Sequence, residues 1–144
     1  MHYHVYCNIK NCNGNYQDAI KEFTKRLSAY CDITFHPGTT LTFPNDCNAN
    51  NHQFIRITNG ISSYSSEEFA GYIQTLQQSG KSTVHIVIGY SKEIFQNAMT
   101  NFTDCKCEYF SITNNSLPSK TITLLLYEQL YRGYTILQGK TYHK

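Results

Sequence analysis

Ser116–Lys144, SLPSKTITLLLYEQLYRGYTILQGKTYHK, carries the pattern from which the rest of the chain is read. Pro118 can open a helix there, because the N–H it lacks would have no partner in a first turn. From Ile122 apolar residues return at helical spacing, at Ile122, Leu126, Leu130, Tyr134 and Leu137, with Tyr127 and Tyr131 beside them. Glu128 and Arg132 stand four apart, the separation at which side chains pair along a helix. Gly133 falls inside the run and marks close packing, and Gly139 fits just past the helix end. The segment closes on Tyr142, His143 and Lys144, a ring, an imidazole and a cation where a disposable tail would be small and polar.

Upstream, helical and strand patterns alternate. His2–Ile9 alternates and is rich in aromatics, which predicts a strand, and Asn11–Asn15 is a turn cluster. Ala19, Ile20, Phe23, Leu27 and Tyr30 form a helical stripe, followed by a short strand at Ile33–Phe35. Pro37–Asn51 is rich in Pro, Gly, Asn and Thr and reads as loop. A strand follows at His52–Thr58. Ser65 then caps a helix whose first turn holds Glu67 and Glu68, whose buried side is Phe69, Ile73 and Leu76, and which stops at Gly80. Val84–Ile88 is an apolar run of the kind buried on both faces. Ser91 caps a further helix with Phe95, Ala98, Met99 and Phe102 on one side, and Cys107–Ile112 alternates weakly as a last strand. This order predicts an α/β fold over residues 1–144, a single domain with a parallel-rich sheet and helices on both faces.

The bulk properties fit such a domain. At 144 residues the chain can bury a core of its own. Hydrophobic content is 40% and mean hydropathy −0.44, as in water-soluble globular proteins. No apolar run approaches the roughly 20 residues a bilayer requires. The first residues, MHYHVYCNIK, read as a strand rather than an export signal, which makes the cytoplasm the expected location. The six cysteines are then expected as thiols rather than as a disulfide framework. The net charge of +2 is too small to argue for a nucleic-acid partner. From Tyr109 onward, however, the cations Lys120, Arg132, Lys140 and Lys144 face one anion, Glu128.

The C-terminal segment resembles the signature of the bacterial rRNA large-subunit methyltransferases of the RlmH type, in the SPOUT superfamily. The matching residues are Leu117-Pro118, Glu128-Gln129-Leu130-Tyr131-Arg132 and Tyr142-His143-Lys144. Tyr16–Leu27 looks like the family's first helix, Phe54–Gly60 like its strand ending in a glycine loop, and Ser66–Gly89 like the helix and strand that follow. The resemblance implies a C-terminal trefoil knot, a homodimer packed by the last helices, and a bent S-adenosylmethionine held between three strand-end loops. Ile57, Thr58 and Gly60 match the first loop, Gly89 the second, and Thr113, Asn114, Asn115, Ser116, Leu117 and Pro118 the third. The implied reaction methylates N3 of a pseudouridine in 23S rRNA within the ribosome. Tyr142 and His143 would stand at the target base and Lys144 at phosphate. Arg132 is either a further RNA contact or a structural partner of Glu128. In the dimer, Tyr127, Tyr131 and their neighbours would meet the partner.

The chain departs from the family inside these loops. Tyr90 and Glu93 stand where the second loop has further glycines, and a side chain there obstructs backbone that takes positive φ or approaches a ligand. Ser119 and Thr123 replace a His and an Arg, and the additional helix usual around Pro37–Asn51 has no counterpart in this shorter stretch. Two readings follow: a methyltransferase with a reshaped pocket, or a non-catalytic paralogue that binds RNA or the ribosome, or serves as a scaffold dimer.

Other candidate sites are weaker. His2 and His4 fall on one strand face and Cys7 on the other, so no metal is expected there. Cys105 and Cys107 lack the two-residue spacer of common zinc and redox pairs. His36, ahead of a proline, and His52, at a strand start, read as surface residues, and His85 as a half-buried or paired core residue.

Overall fold

The computed structural model describes residues 1–58, 64–113 and 115–139. Its elements run β1 (His2–Cys7), α1 (Gly14–Leu27), β2 (Asp32–Pro37), β3 (His52–Ile57), α2 (Ser66–Gln78), β4 (Thr83–Ile88), α3 (Lys92–Ala98), β5 (Cys107–Phe110) and α4 (Ser119–Leu137). The strands form one sheet in the order β2-β1-β4-β3-β5, and every pairing is parallel. Parallel strands need crossovers and bury both faces, which is why β4 carries Val84, Ile86, Val87 and Ile88 in one run.

Strand alternation divides the sheet between two cores. Tyr3 and Val5 of β1, Ile55 and Ile57 of β3, and Val84, Ile86 and Ile88 of β4 join the apolar sides of α1, α2 and α4. On the opposite face, Tyr6, Phe54 and Val87 meet Phe95 of α3, Phe102, and Leu41 and Phe43 from the segment between β2 and β3. That segment, residues 38–51, holds no helix or strand, as its composition predicts.

Local signals set the helix ends as expected. Ser65 and Glu68 form a reciprocal capping box at α2, and the Ser91 side chain accepts the Ile94 N–H at α3. Pro118 is the N-cap of α4, its carbonyl accepting the Ile122 N–H at 3.0 Å. Gly139, at φ +70°, follows the C-cap and donates to Ile136 O at 3.0 Å.

Helix α4 lies against the sheet with α1 and α2 beside it, burying Ile122, Leu126, Leu130 and Tyr134. Tyr134 Oη is 2.8 Å from Tyr3 Oη. Gly133 is where α2 comes closest: a Cβ there would stand 2.9 Å from Ile73 Cδ1 and 3.6 Å from Ala70 Cα. Gly133→Val therefore overpacks a full core. Urea unfolding should show a loss of about 1–3 kcal/mol, and unchanged stability would mean the α2–α4 seam is looser than it looks.

The structure corrects several expectations. Tyr127 does not face a partner: it is 0% exposed, its ring edge-on to Phe23 and Phe35. Tyr131, half-buried, sits edge-on to Tyr30. β2 extends to Pro37, which places His36 in a strand, and β5 stops at Phe110 rather than Ile112. His36 and His52 are half-buried and hydrogen-bonded to other histidines, not surface residues. His85 is buried and paired, as expected.

Candidate functional site

In open parallel sheets ligands bind beyond the carboxyl ends of the strands. Here a cleft of about 520 Å³ opens at that edge, between the ends of β3 and β4, the residue following β1, and the start of α4. This lies within the roughly 300–1,000 Å³ range of small-molecule sites. Four stretches far apart in sequence form it: Asn8, Arg56 to Thr58, Gly89 with its neighbours, and Leu117 with Ser119.

Each wall is held by identifiable bonds. Thr58 N–H donates to Phe110 O at 2.7 Å, which fixes the bend as the chain leaves β3. Asn8 N–H donates to Ile88 O, and its side-chain amide donates to Gly89 O, both at 3.0 Å. Gly89 takes φ +85°. A Cβ on it would overlap Ser119 Oγ and stand 3.0 Å from Ser119 Cβ, so α4 begins directly against glycine backbone.

Tyr90 occupies the position at which a side chain was expected to obstruct the pocket. Its hydroxyl is turned to the opposite face of the sheet, donating to Gly38 O at 2.5 Å beside Phe95 and Phe102. Burial there pushes the phenol up to about 12. What Tyr90 gives the cleft includes its carbonyl, which accepts from Arg56 Nη2 at 3.2 Å. The Arg56 guanidinium lies 5.7 Å from the centre of the Phe95 ring and brings a cation to the wall. Among the described lining residues there is no carboxylate.

Of the residues singled out from sequence, Ile57, Thr58, Gly89 and Leu117 meet in this cleft. Thr113, Asn115, Ser116 and Pro118 lead up to it without lining it; Thr113 Oγ1 accepts the Asn115 N–H at 3.2 Å. Arg132 also lies outside the lining. It bonds Glu128 at 2.7 Å and Ser66 Oγ at 2.9 Å, tying α4 to the start of α2. Gly60, Asn114, Tyr142, His143 and Lys144 fall outside the described residues. Thr123, fully buried, donates to Ser119 O at 2.8 Å. Sequence reasoning missed Arg56 and Asn8, although Arg56 is a charged residue at the carboxyl end of a buried strand, a position that itself marks a site.

A parallel sheet whose strand-end bends meet around a positive-φ glycine and a helix start defines an α/β protein with an open cleft at its strand ends. The sequence comparisons narrow this. The model for predicted SPOUT methyltransferases matches residues 1–143, and the chain belongs to that family. It is 35% identical to ribosomal RNA large subunit methyltransferase H 1 of Thermoanaerobacter sp. (strain X514) over 147 aligned positions, covering 100% of both chains. It is 28% identical to ribosomal RNA large subunit methyltransferase H of Clostridium beijerinckii (strain ATCC 51743 / NCIMB 8052), covering 89% of this chain and 90% of that protein. No helix among the described residues is long and apolar enough to cross a membrane.

Proposed function

We propose that the chain is an S-adenosylmethionine-dependent methyltransferase that modifies large-subunit rRNA, at N3 of a pseudouridine in 23S rRNA. The observation that carries this reading is the open cleft at Gly89. Despite Tyr90, the bends after β3 and β4 and the start of α4 enclose a volume suited to a nucleoside-sized ligand. The names of the full-length relatives support rRNA as the substrate.

Ile57, Thr58, Gly89 and Leu117 would hold the cofactor, with Gly60, Thr113, Asn114, Asn115, Ser116 and Pro118 completing the loops around it. Arg56 offers the cation that a methionine carboxylate needs. When bound, the cofactor supplies an electrophilic methyl group on a sulfonium. The chain must hold that carbon in line with the acceptor nitrogen and remove the nitrogen's proton. No carboxylate lines the described cleft, so the proton falls to the tail, with His143 as base and Tyr142 positioning the target base. Lys144 would contact RNA phosphate, while Arg132 serves as the structural partner of Glu128. In this reading the chain works in the cytoplasm as a homodimer, with the C-terminal segment knotted through the preceding loops.

Calorimetric titration with S-adenosylmethionine tests the reading. Micromolar binding is expected, and a folded protein that binds none at millimolar ligand ends it. That result would favour a non-catalytic RNA- or ribosome-binding or scaffold dimer, the reading to which Glu93, Ser119 and Thr123 point. Tyr142→Ala should lower methylation of unmodified ribosomes by about 10²-fold, the scale of one positioned catalytic group, with cofactor affinity within about two-fold. Collapse of cofactor affinity instead would place the tail elsewhere.

A further inference from the structure

We propose that Cys47, His52 and His85 form a site for one zinc-type divalent ion, on the face of the sheet that carries the segment between β2 and β3. None of the three lines the cleft at Gly89, so the proposal stands apart from the methyltransferase reading.

The argument begins with convergence. His85 Nε2 is 2.9 Å from His52 Nδ1 and 3.5 Å from Cys47 Sγ, and the three candidate ligand atoms all lie within 4.8 Å of one another. Tetrahedral zinc, with bonds of about 2.0 Å to nitrogen and 2.3 Å to sulfur, holds two nitrogens about 3.3 Å apart and a nitrogen and sulfur about 3.6 Å apart. The two observed separations from His85 Nε2 fall within about 0.4 Å of these values.

A phenol stands behind the buried ring. Tyr6 Oη is 3.0 Å from His85 Nδ1. With Nδ1–H donating to the phenol oxygen, the lone pair on Nε2 is directed at His52 and Cys47, the arrangement in which metal-bound imidazoles are held. His85 is 0% exposed, whereas Cys47 and His52 are half-buried, which leaves the ion an approach from the segment side.

The surrounding charges are mixed. Asp46, exposed and next to Cys47, favours a cation. The Lys81 ammonium, bonded to Ala49 O, opposes it. The donor set of one thiolate and two imidazoles with a further open position suits zinc. Binding replaces the thiol proton: Cys47–SH plus Zn²⁺ gives a Cys47 thiolate–Zn²⁺ bond and one released H⁺, and the neutral imidazoles release none. The ion would anchor to the sheet a stretch, residues 38–51, that has no regular structure of its own.

The full-length chain, dialysed against chelator, is titrated with Zn²⁺ by calorimetry in two buffers and with Co²⁺ by absorption. One ion per chain, one proton released, a higher Tm and a thiolate-to-cobalt charge-transfer band are expected. Cys47→Ser should lose that band, and Cys47→Ser and His52→Gln should each weaken binding at least ten-fold. Circular dichroism and S-adenosylmethionine affinity should stay as in the parent. Cobalt bound without the band, or affinity untouched in both variants, overturns the site and moves the ion elsewhere on the chain.

Discussion

Gly89→Val should abolish S-adenosylmethionine binding and lower Tm together. Gly89 sits at φ +85°, where a β-branched residue is strained by about 1–3 kcal/mol. The new Cβ would also overlap Ser119 Oγ, and Ser119 cannot retreat easily because its carbonyl accepts from the buried Thr123 hydroxyl. Strain and overlap add to roughly 2–4 kcal/mol, or about 5–15 °C in Tm for a chain of this length. The valine also pushes on Ser119 and Asn8, both of which line the cleft. Gly89→Ala with Ser119→Gly separates the two causes. It removes the overlap and keeps the strain, so Tm should recover in part. Binding should recover further than in Gly89→Val, because a single methyl occupies the wall. Native Tm with parental affinity in Gly89→Val would show that the wall yields and that the cofactor binds elsewhere.

The chelator-treated protein should lose stability steeply below neutral pH, with His85 as one of two leading causes. Burial comes first in depressing its pKa, from 6.5 to about 3, followed by the neighbouring charges of His4, His52, His36 and His2. Every side of the ring is occupied. His4 and His52 stack at 5.2 Å, Phe54 at 4.7 Å and Tyr6 at 5.9 Å, and Cys47 reaches its edge. Farther out, His52 senses Asp46 and Lys81 with opposite signs. Between pH 6.5 and about 3 the unfolded chain holds a proton on this residue and the folded chain does not. The unfolded state therefore binds more protons in that window. Stability is whole above it and declines as pH falls through it. From pH 7 to pH 5, His85 alone accounts for a loss of about 2 kcal/mol. His4, lowered to about 4 mainly by burial, adds in the same direction. Urea midpoints at the two pH values measure the loss, and His85→Gln should remove roughly half of the slope, with His4 supplying much of the rest. An equal slope in that variant would assign acid sensitivity to other groups.

Signals confined to a few neighbouring residues were readable in advance. Ser65 with Glu68, Ser91, Pro118 and Gly139 announced helix ends because capping depends on residues three or four apart. The stripe from Ile122 to Tyr134 announced the buried face of α4, and Gly133 its closest contact. The cleft was legible only in part. Ile57, Thr58, Gly89 and Leu117 followed from the resemblance, whereas Arg56 and Asn8 did not, since neither belongs to a recognisable spacing. Tyr90 shows why: a residue type states what it could obstruct, but strand geometry decides which way it turns, and here its hydroxyl reaches Gly38.

By itself the order of amino acids determined the alternation of strands and helices, their caps, the parallel α/β class and the family. Those depend on local periodicity and on motifs read along the chain. The tertiary structure alone decided that Tyr127 is buried within its own chain, that Tyr90 leaves the cleft open, and that Cys47, His52 and His85 meet. Parallel pairing is the physical reason. It places β1 between β2 and β4 and sets residues 33 to 79 positions apart side by side, at distances that no local pattern records.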